Sequence, residues 1–416
     1  MTVSRLTVED LEAGVRHLAA IDRPSASAGE REGQEWLAER LREEACSVSI
    51  ESERAHGTYW WPLGTLAALA GVASLTGRRA LAVAAGAFSA AGIADDIGGG
   101  SLWFRRRFLR SRETTNVIAE CGDREATQTV VVIAHMDAAH WSLLFHPGVS
   151  RYIGKRWPAL IERTDTTPPL MFPVFGGPLL VALGALLGRR GRVVQRIGTA
   201  LSIGTAATMV EIGSRSTVPG ANDNLSGVAT LLGLARALRT QQVEGARVVL
   251  LCTGSEESFM EGMQAYARRH FASLDPARTH VICVDTVGSP ELLLLEGEGM
   301  LWMRDYPEEF KALVSDCATE AGVTLRRGLR FRNATDGLIA LKAGFPSVML
   351  GSYNEFKVPS NYHWPTDDAD HVDYGTVRDT VTLVEAVVRK LARSGARQSS
   401  ERARATASSA DATSPA

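Results

Sequence analysis

The chain has 416 residues, of which 45% are hydrophobic and 22% charged, and its formal net charge is −2. That balance suits a folded globular protein and gives no basic field for nucleic acid. The length admits one large α/β domain or two ordinary ones.

Thr7-Val8-Glu9-Asp10 supplies an N-cap and acids ahead of a helix over 11–21, and a second helix fits 29–44, with Trp36, Leu37 and Leu41 on one face. No apolar signal core precedes them. Residues 47–53 alternate like a strand. Residues 60–76 and 80–94 then carry no charge and are separated by Gly77-Arg78-Arg79. The design recurs at 170–188 and 197–210, around Gly188-Arg189-Arg190-Gly191-Arg192. Both pairs read as helical hairpins. By length, the first member of each reaches the lower limit of a membrane span, about 17 residues, and the second falls short. Trp60, Trp61, Trp103 and Phe104 flank the first hairpin as interfacial anchors would. The expectation is therefore a multi-pass attachment to a lipid bilayer, against the alternative of buried or dimer-forming hairpins.

Between the hairpins, 115–121 reads as a strand, with a turn leading into a buried strand over 129–134. Further helices are expected at 225–238, 261–271 and 377–391, and strands at 246–252, 281–284, 292–295, 324–331 and 348–350. From 394 onward Ser, Ala, Arg and Thr dominate without periodicity, which reads as a disordered tail over 394–416. The fold class is α/β, with a mixed central sheet flanked by helices. One discontinuous domain (1–58, 113–167 and 214–393) carries the two inserted hairpins, 59–98 and 168–213. The five cysteines (Cys46, Cys121, Cys252, Cys283, Cys317) form no C-x-x-C pair. Cys252 and Cys283 lie in apolar runs, which favours buried thiols over disulfides and a reducing compartment.

The chemistry gathers at strand ends, where sites of open α/β sheets are built. The strand over 129–134 runs into His135-Met136-Asp137, where an imidazole can ligate a metal or act as a base and a carboxylate can fix its tautomer. Asp223 sits in Pro219-Gly220-Ala221-Asn222-Asp223-Asn224, a tight loop before a helix, and is by itself an ordinary N-cap. Glu256 and Glu257 follow a buried strand, and such paired acids need a cation or a proton. Asp285 ends another strand, and His363 lies in a loop after one. Alone, each has a bland reading as a cap, a solvated helix start or a surface histidine. As an ordered set, two His and three carboxylates suit a hydrolytic centre of two zinc ions. One carboxylate would bridge the ions, and one more, unligated, would serve as general base.

The segments A-H-M-D, P-G-A-N-D-N-L-S-G-V, G-S-E-E-S, V-D-T-V-G and Y-H-W-P-T-D-D fall between 134 and 368, within a likeness that covers 6–391 outside the hairpins. In them the sequence resembles the co-catalytic zinc aminopeptidases of the aminopeptidase Y and bacterial leucyl aminopeptidase type. The run from Thr335-Asp336-Gly337 to Gly344-Phe345-Pro346 is similar to the family's segment before its last ligand. The resemblance implies two Zn²⁺ per chain, with Asp223 bridging them, His135 and Asp285 on one, and Glu257 and His363 on the other. It implies Glu256 as the base that carries a proton from water to the leaving amine, and Asp137 as the residue that orients His135. The implied activity is hydrolysis of N-terminal peptide bonds, with a peptide or another amide as substrate. The alternatives are a glutaminyl-cyclase-like zinc acyltransferase and a non-catalytic membrane receptor or scaffold on the same fold. Both hairpins depart from the family's pattern, which puts substrate choice in doubt.

Two expectations concern placement. Arg105, Arg106, Arg107, Arg110 and Arg112 follow the first hairpin, and Arg151, Lys155, Arg156 and Arg163 precede the second. They outnumber the arginines of the turns, so the catalytic domain and both chain ends are expected in the cytoplasm. The strands flanking the first hairpin should bring both hairpins out at one edge of the sheet, as a four-helix cluster facing the site.

Overall fold

The computed structural model describes residues 7–411. Helix α1 (Val8–Ala19) opens on a reciprocal cap between Thr7 and Asp10, and α2 (Ala28–Glu43) opens on Ser27. Strand β1 (Ser47–Ala55) pairs antiparallel with β2 (Arg112–Gly122), and between them lie α3 (Trp60–Leu75), α4 (Arg79–Ile97) and the short α5 (Trp103–Phe108). After β3 (Thr129–His135) come α6 (Pro147–Arg156), α7 (Pro158–Arg163), and the second hairpin, α8 (Met171–Leu186) and α9 (Arg192–Gly213). The chain continues through α10 (Ser226–Thr240), β4 (Arg247–Thr253), α11 (Glu261–His270), β5 (Thr279–Val284) and β6 (Glu291–Leu294). A small sheet follows, built from β7 (Gly297–Glu298), β8 (Arg304–Asp305) and β9 (Arg330–Phe331), with α12 (Glu308–Ala321) within its span. The chain ends with α13 (Asp336–Lys342), β10 (Ser347–Tyr353) and α14 (Tyr374–Asp411).

The main sheet has the order β1-β2-β4-β3-β5-β10-β6. Its centre, β4-β3-β5-β10, is parallel, while β2 and β6 pair antiparallel to their neighbours. Alternation along β3 sends Val130 and Val132 into the core with α1, α2, α10 and α14. Val131 and Ile133 go to the other core, which they share with Met260, Met263, Leu63, Leu66, Ile93, Met209 and Ile212. The feet of both hairpins are thus part of the core under the main sheet, not an appendage to it.

The hairpins form one bundle, in which α3 packs on α4 and α9, and α8 packs on α4 and α9. Small residues let the backbones approach. A Cβ at Gly86 would sit 2.8 Å from the Pro178 carbonyl oxygen, and one at Gly198 2.5 Å from the Val181 nitrogen. Ser74 Oγ lies 2.7 Å from Thr199 Oγ1 and accepts a bond from Gln195 Nε2 at 2.9 Å.

Four expectations need correction. Among the described residues only α4, with 19 residues, is long and apolar enough to cross a bilayer. The first members, α3 and α8, have 16 residues each. Counting uncharged residues included turn positions at their ends, and it stopped α4 before Asp95 and Asp96, which the helix includes. The expected strand over 324–331 is reduced to Arg330–Phe331, because the stretch before it makes only a bridge from Arg326 to Leu293. Helix α14 continues through 394 to Asp411, carried by Ala, Arg, Gln and Glu, which are good helix formers, across the weaker Ser, Gly and Thr among them; 412–416 lie outside the described residues. Finally, Cys46 and Cys121 are joined by a disulfide, Cα to Cα 4.9 Å, while Cys252, Cys283 and Cys317 are buried free thiols. The two half-cystines face each other where β1 and β2 pair, a proximity that spacing in sequence does not reveal.

A buried charged cluster fastens the first hairpin to the α/β domain. Arg105 Nε donates to Asp96 Oδ1 at 2.7 Å, and its Nη1 lies 3.5 Å from Glu261 Oε2. Glu261 also accepts from His56 N, Gly57 N and Ser258 Oγ. Burial alone would raise the Glu261 carboxyl, but the bonds from His56 and the Arg105 charge outweigh it and hold it at about 2, below the ordinary 4.5. Its contribution to stability is therefore complete above pH 4.5 and lost as pH falls through about 2. Glu261→Gln should cost about 3–5 kcal/mol near neutral pH, because it leaves Arg105 buried and under-paired. Thermal melts from neutral pH down to about 3 should show the variant's acid slope flatter than the wild type's. Parallel slopes would contradict this assignment.

Candidate metal centre

The parallel strands bring their carboxyl ends to one edge, with His135 at the end of β3 level with Thr253 at the end of β4. Asp137, Glu256, Glu257 and Asp285 follow directly from β3, β4 and β5, and His363 arrives from the loop after β10. Three residues there hold a left-handed backbone without being glycine: Ser255 (φ 53°), Thr286 (φ 53°) and His363 (φ 49°). Such conformations cost free energy and persist where the surroundings dictate them.

Asp223 occupies the centre. Its Oδ1 lies 3.3 Å from His135 Nε2, and its Oδ2 lies 3.3 Å from His363 Nε2. Glu257 Oε1 is 3.3 Å from His363 Nε2, while Asp285 Oδ2 and Glu256 Oε2 are each 3.9 Å from His135 Nε2. All the residues singled out in the sequence therefore meet here. Donor atoms of His135, Asp223 and Glu257 lie within 4.8 Å of one another. Four carboxylates, two buried and two nearly so, face two imidazoles, and desolvation, foremost, holds Glu256, Glu257 and Asp285 above the usual carboxylate range. Glu257 Oε1 and His363 Nδ1 have no well-aligned hydrogen-bond partner. A donor set this rich in buried negative charge fits divalent cations.

Asp137 does more than stand beside His135. Its carboxylate accepts from Glu256 N at 3.0 Å, Glu257 N at 3.1 Å and Ser25 Oγ at 2.6 Å. His135 Nδ1 lies nearer the Asp137 carbonyl oxygen, at 3.1 Å, than its carboxylate, at 3.5 Å. Asp137 orients the imidazole chiefly through its main chain and fixes both glutamates through its side chain.

The neighbours explain the tight turn around Asp223. Asn222 Oδ1 accepts from Gly288 N, and Asn224 donates to the Val284 carbonyl and accepts from Thr286 N. The two asparagines thus stitch Asp223 to the Asp285 loop. Asp367 accepts from Asn222 N at 2.7 Å and Asp223 N at 3.1 Å. Glu30 accepts from Ser255 N and Ala26 N, and Arg23 donates to the Met136 and Pro219 carbonyls. Tyr362 stacks on His363 with 3.9 Å between ring centroids. Sequence reasoning gave no role to these residues. Asp367 and Tyr362 stand inside the recognised Y-H-W-P-T-D-D segment, whereas Glu30 and Arg23 carry no local signal. Asp367→Ala should weaken metal binding by roughly 10–100-fold, as loss of a supporting group typically does. Titration with a competing chelator would measure it, and unchanged affinity would contradict the role.

The centre opens on a cavity of about 840 Å³, lined by Glu256, Glu257 and His363 on one side and by α8 and α9 on the other. Both hairpins leave the same edge of the sheet and the site faces them, as expected.

Residues 208–388 match the family described as Peptidase family M28. No curated protein matches the chain in sequence. An aminopeptidase from Aneurinibacillus sp. strain AM-1 is similar in structure at 14% identity and a TM-score of 0.55, over 94% of this chain and 95% of its own. A Zn-dependent exopeptidase from Parabacteroides distasonis is similar at 14% identity and a TM-score of 0.54, over 93% and 99%. A glutaminyl cyclase from Bacteroides thetaiotaomicron, bound to N-acetylhistamine, is similar at 15% identity and 0.54, over 93% and 99%. These likenesses establish a shared fold. The family match covers 208–388, under half of the chain, and the fold that the whole chain shares is common to the zinc-dependent exopeptidase, the aminopeptidase and the glutaminyl cyclase.

Proposed function

We propose that the chain is a two-zinc amide hydrolase of the aminopeptidase type. One observation carries the reading: Asp223 turns one carboxylate oxygen to each histidine, and each histidine has its own acid alongside. His135 and Asp285 would hold one ion, His363 and Glu257 the other, and Asp223 both. Ions bound there would supply an activated water and polarise the scissile carbonyl. Glu256 stands beside this set without being one of the five donors. It would take the proton of the attacking water and return it to the leaving nitrogen, its main chain held meanwhile by Asp137. The metal-loaded protein should release the first residue from a leucyl peptide. Cyclised product with ammonia from a glutaminyl peptide would instead favour the glutaminyl-cyclase-like reading, and bound metal without turnover a receptor or scaffold.

The reading includes attachment to a bilayer. Leu69, Val72, Leu75, Leu81, Leu186 and Val210 point outward from the bundle and are exposed, more apolar surface than a water-facing bundle usually shows. Beside it, 143–163 exposes Leu144, Val149, Tyr152, Trp157 and Leu160 next to Arg151, Lys155 and Arg156, the make-up of a segment lying in a membrane interface. The arginine bias favours the cytoplasmic side, whereas a Cys46–Cys121 bond belongs to oxidising compartments. We hold to the cytoplasmic side, where the bond that the structure has between Cys46 and Cys121 would open to two facing thiols. Lysing cells in denaturant with an alkylating reagent should then label all five cysteines. Labelling of only Cys252, Cys283 and Cys317 before reduction would reverse the orientation.

A further inference from the structure

The cavity beside the glutamates does not end at the site. Its wall passes Tyr59, Phe259 and Met300, then follows the groove between α8 and α9 past Ile212, Met209 and Thr205 to Gly204 and Ala200. From Ile212 to Ala200 is twelve residues of helix, about 18 Å at the helical rise. That is roughly the depth of one leaflet of a bilayer whose hydrocarbon core is about 30 Å thick. The far end is open: Ala200 and Gly204 are exposed, and Ile203 beside them is exposed as well.

Two glycines distinguish this groove from the rest of the bundle. A Cβ on Gly177, Gly184 or Gly198 would strike backbone of the neighbouring helix, so those glycines serve helix packing. A Cβ on Gly176 or Gly204 would meet nothing within 4 Å, and both residues line the cavity. Their missing side chains leave room in the groove rather than allow contact between helices.

The lining also restricts the occupant. Along the bundle the polar side chains are Thr205 and Thr208, and Thr208 already donates to the Gly204 carbonyl. Helix backbone is satisfied internally. An extended peptide would bring an N–H and a C=O at every residue and find few partners. A hydrocarbon chain asks for none.

We propose that, besides an aminoacyl amide, the site cleaves an amide whose acyl side bears a long hydrocarbon chain, as in an N-acylated amino acid, with the chain lying in the α8–α9 groove. This rests on the hydrolytic reading of the metal centre. Water adds its oxygen to the carbonyl carbon and the carbon–nitrogen bond breaks. The proton taken by Glu256 passes to the leaving nitrogen, and the products are a fatty acid and a free amine. The open flank of the groove would admit the chain sideways from a bilayer.

The test is a series of N-acyl-glycines from acetyl to palmitoyl, with leucine arylamide as a separate substrate, given to the zinc-loaded full-length protein. kcat/KM should rise up to about fourfold per added methylene until the groove is filled. Gly204→Phe should lower the palmitoyl-to-acetyl ratio at least tenfold. Gly176→Leu, on the facing helix, gives the same reading should the first variant fold poorly. Without metal or turnover, palmitate should displace a fluorescent fatty acid from the wild type and do so less well from the variants. Cleavage of leucine arylamide with a flat acyl series would overturn this inference and leave the hydrolase standing. No cleavage of any substrate by metal-loaded protein would overturn both. Palmitate binding that neither folded variant weakens would place the chain elsewhere and refute the groove.

Discussion

Glu256→Gln is expected to keep its bound metal and to lose about 10²–10⁴-fold in turnover, the usual cost of removing a general base. The substitution preserves shape and leaves the Glu256 amide bonded to Asp137. It removes only the ability to accept and return a proton. Glu256 lines the cavity and lies 3.9 Å from His135 Nε2, whereas Asp137, the other acid beside His135, does not line it and has its carboxylate taken up by the Glu256 and Glu257 amides and Ser25. Metal analysis and kcat on a leucine arylamide, measured on the same preparation, separate chemistry from binding. Full kcat in the variant would refute the assignment.

Asp223→Ala should fail in the other way, by losing metal. Its two oxygens face the two histidines at 3.3 Å each, so its removal strips both halves of the centre at once. The loss of affinity should exceed the roughly 10–100-fold expected for a supporting residue such as Asp367. Neither half could be restored by raising the zinc concentration to a level that saturates the wild type. A variant that still bound two ions would show that Asp223 does not join them.

The α/β class and the succession of strands were legible because each is written locally, whereas the candidate donors were legible only as an ordered set. Buried strands are short β-branched runs, and their ends carry the acids and histidines. The hairpins were legible as charge-free stretches, but their helix lengths were not. Charge marks where a helix meets water; turns and prolines decide where it ends, as at Met171 after Pro168-Pro169. What could not be read depends on the third dimension. Glu30 supports the Glu256 loop from a helix far away in sequence, and its neighbours in the chain give no hint of that. Arg23 ties the end of β3 to the turn before Asp223 by donating to carbonyls, which have no sequence signature. Asp137 was given the orienting role by its spacing from His135. The fold instead turns its carboxylate toward the amides after β4, which only strand order could reveal. The Cys46–Cys121 contact likewise follows from the antiparallel pairing of two strands separated by a whole hairpin.

Metal stoichiometry coupled to turnover tests the central claim most directly. Purified full-length protein, stripped with a chelator and titrated with zinc, should bind two ions per chain. Hydrolysis of an amide substrate should return as the ions bind, in the wild type and not in Glu256→Gln. A protein that binds no zinc after stripping, or whose hydrolysis survives the chelator unchanged, would contradict the account.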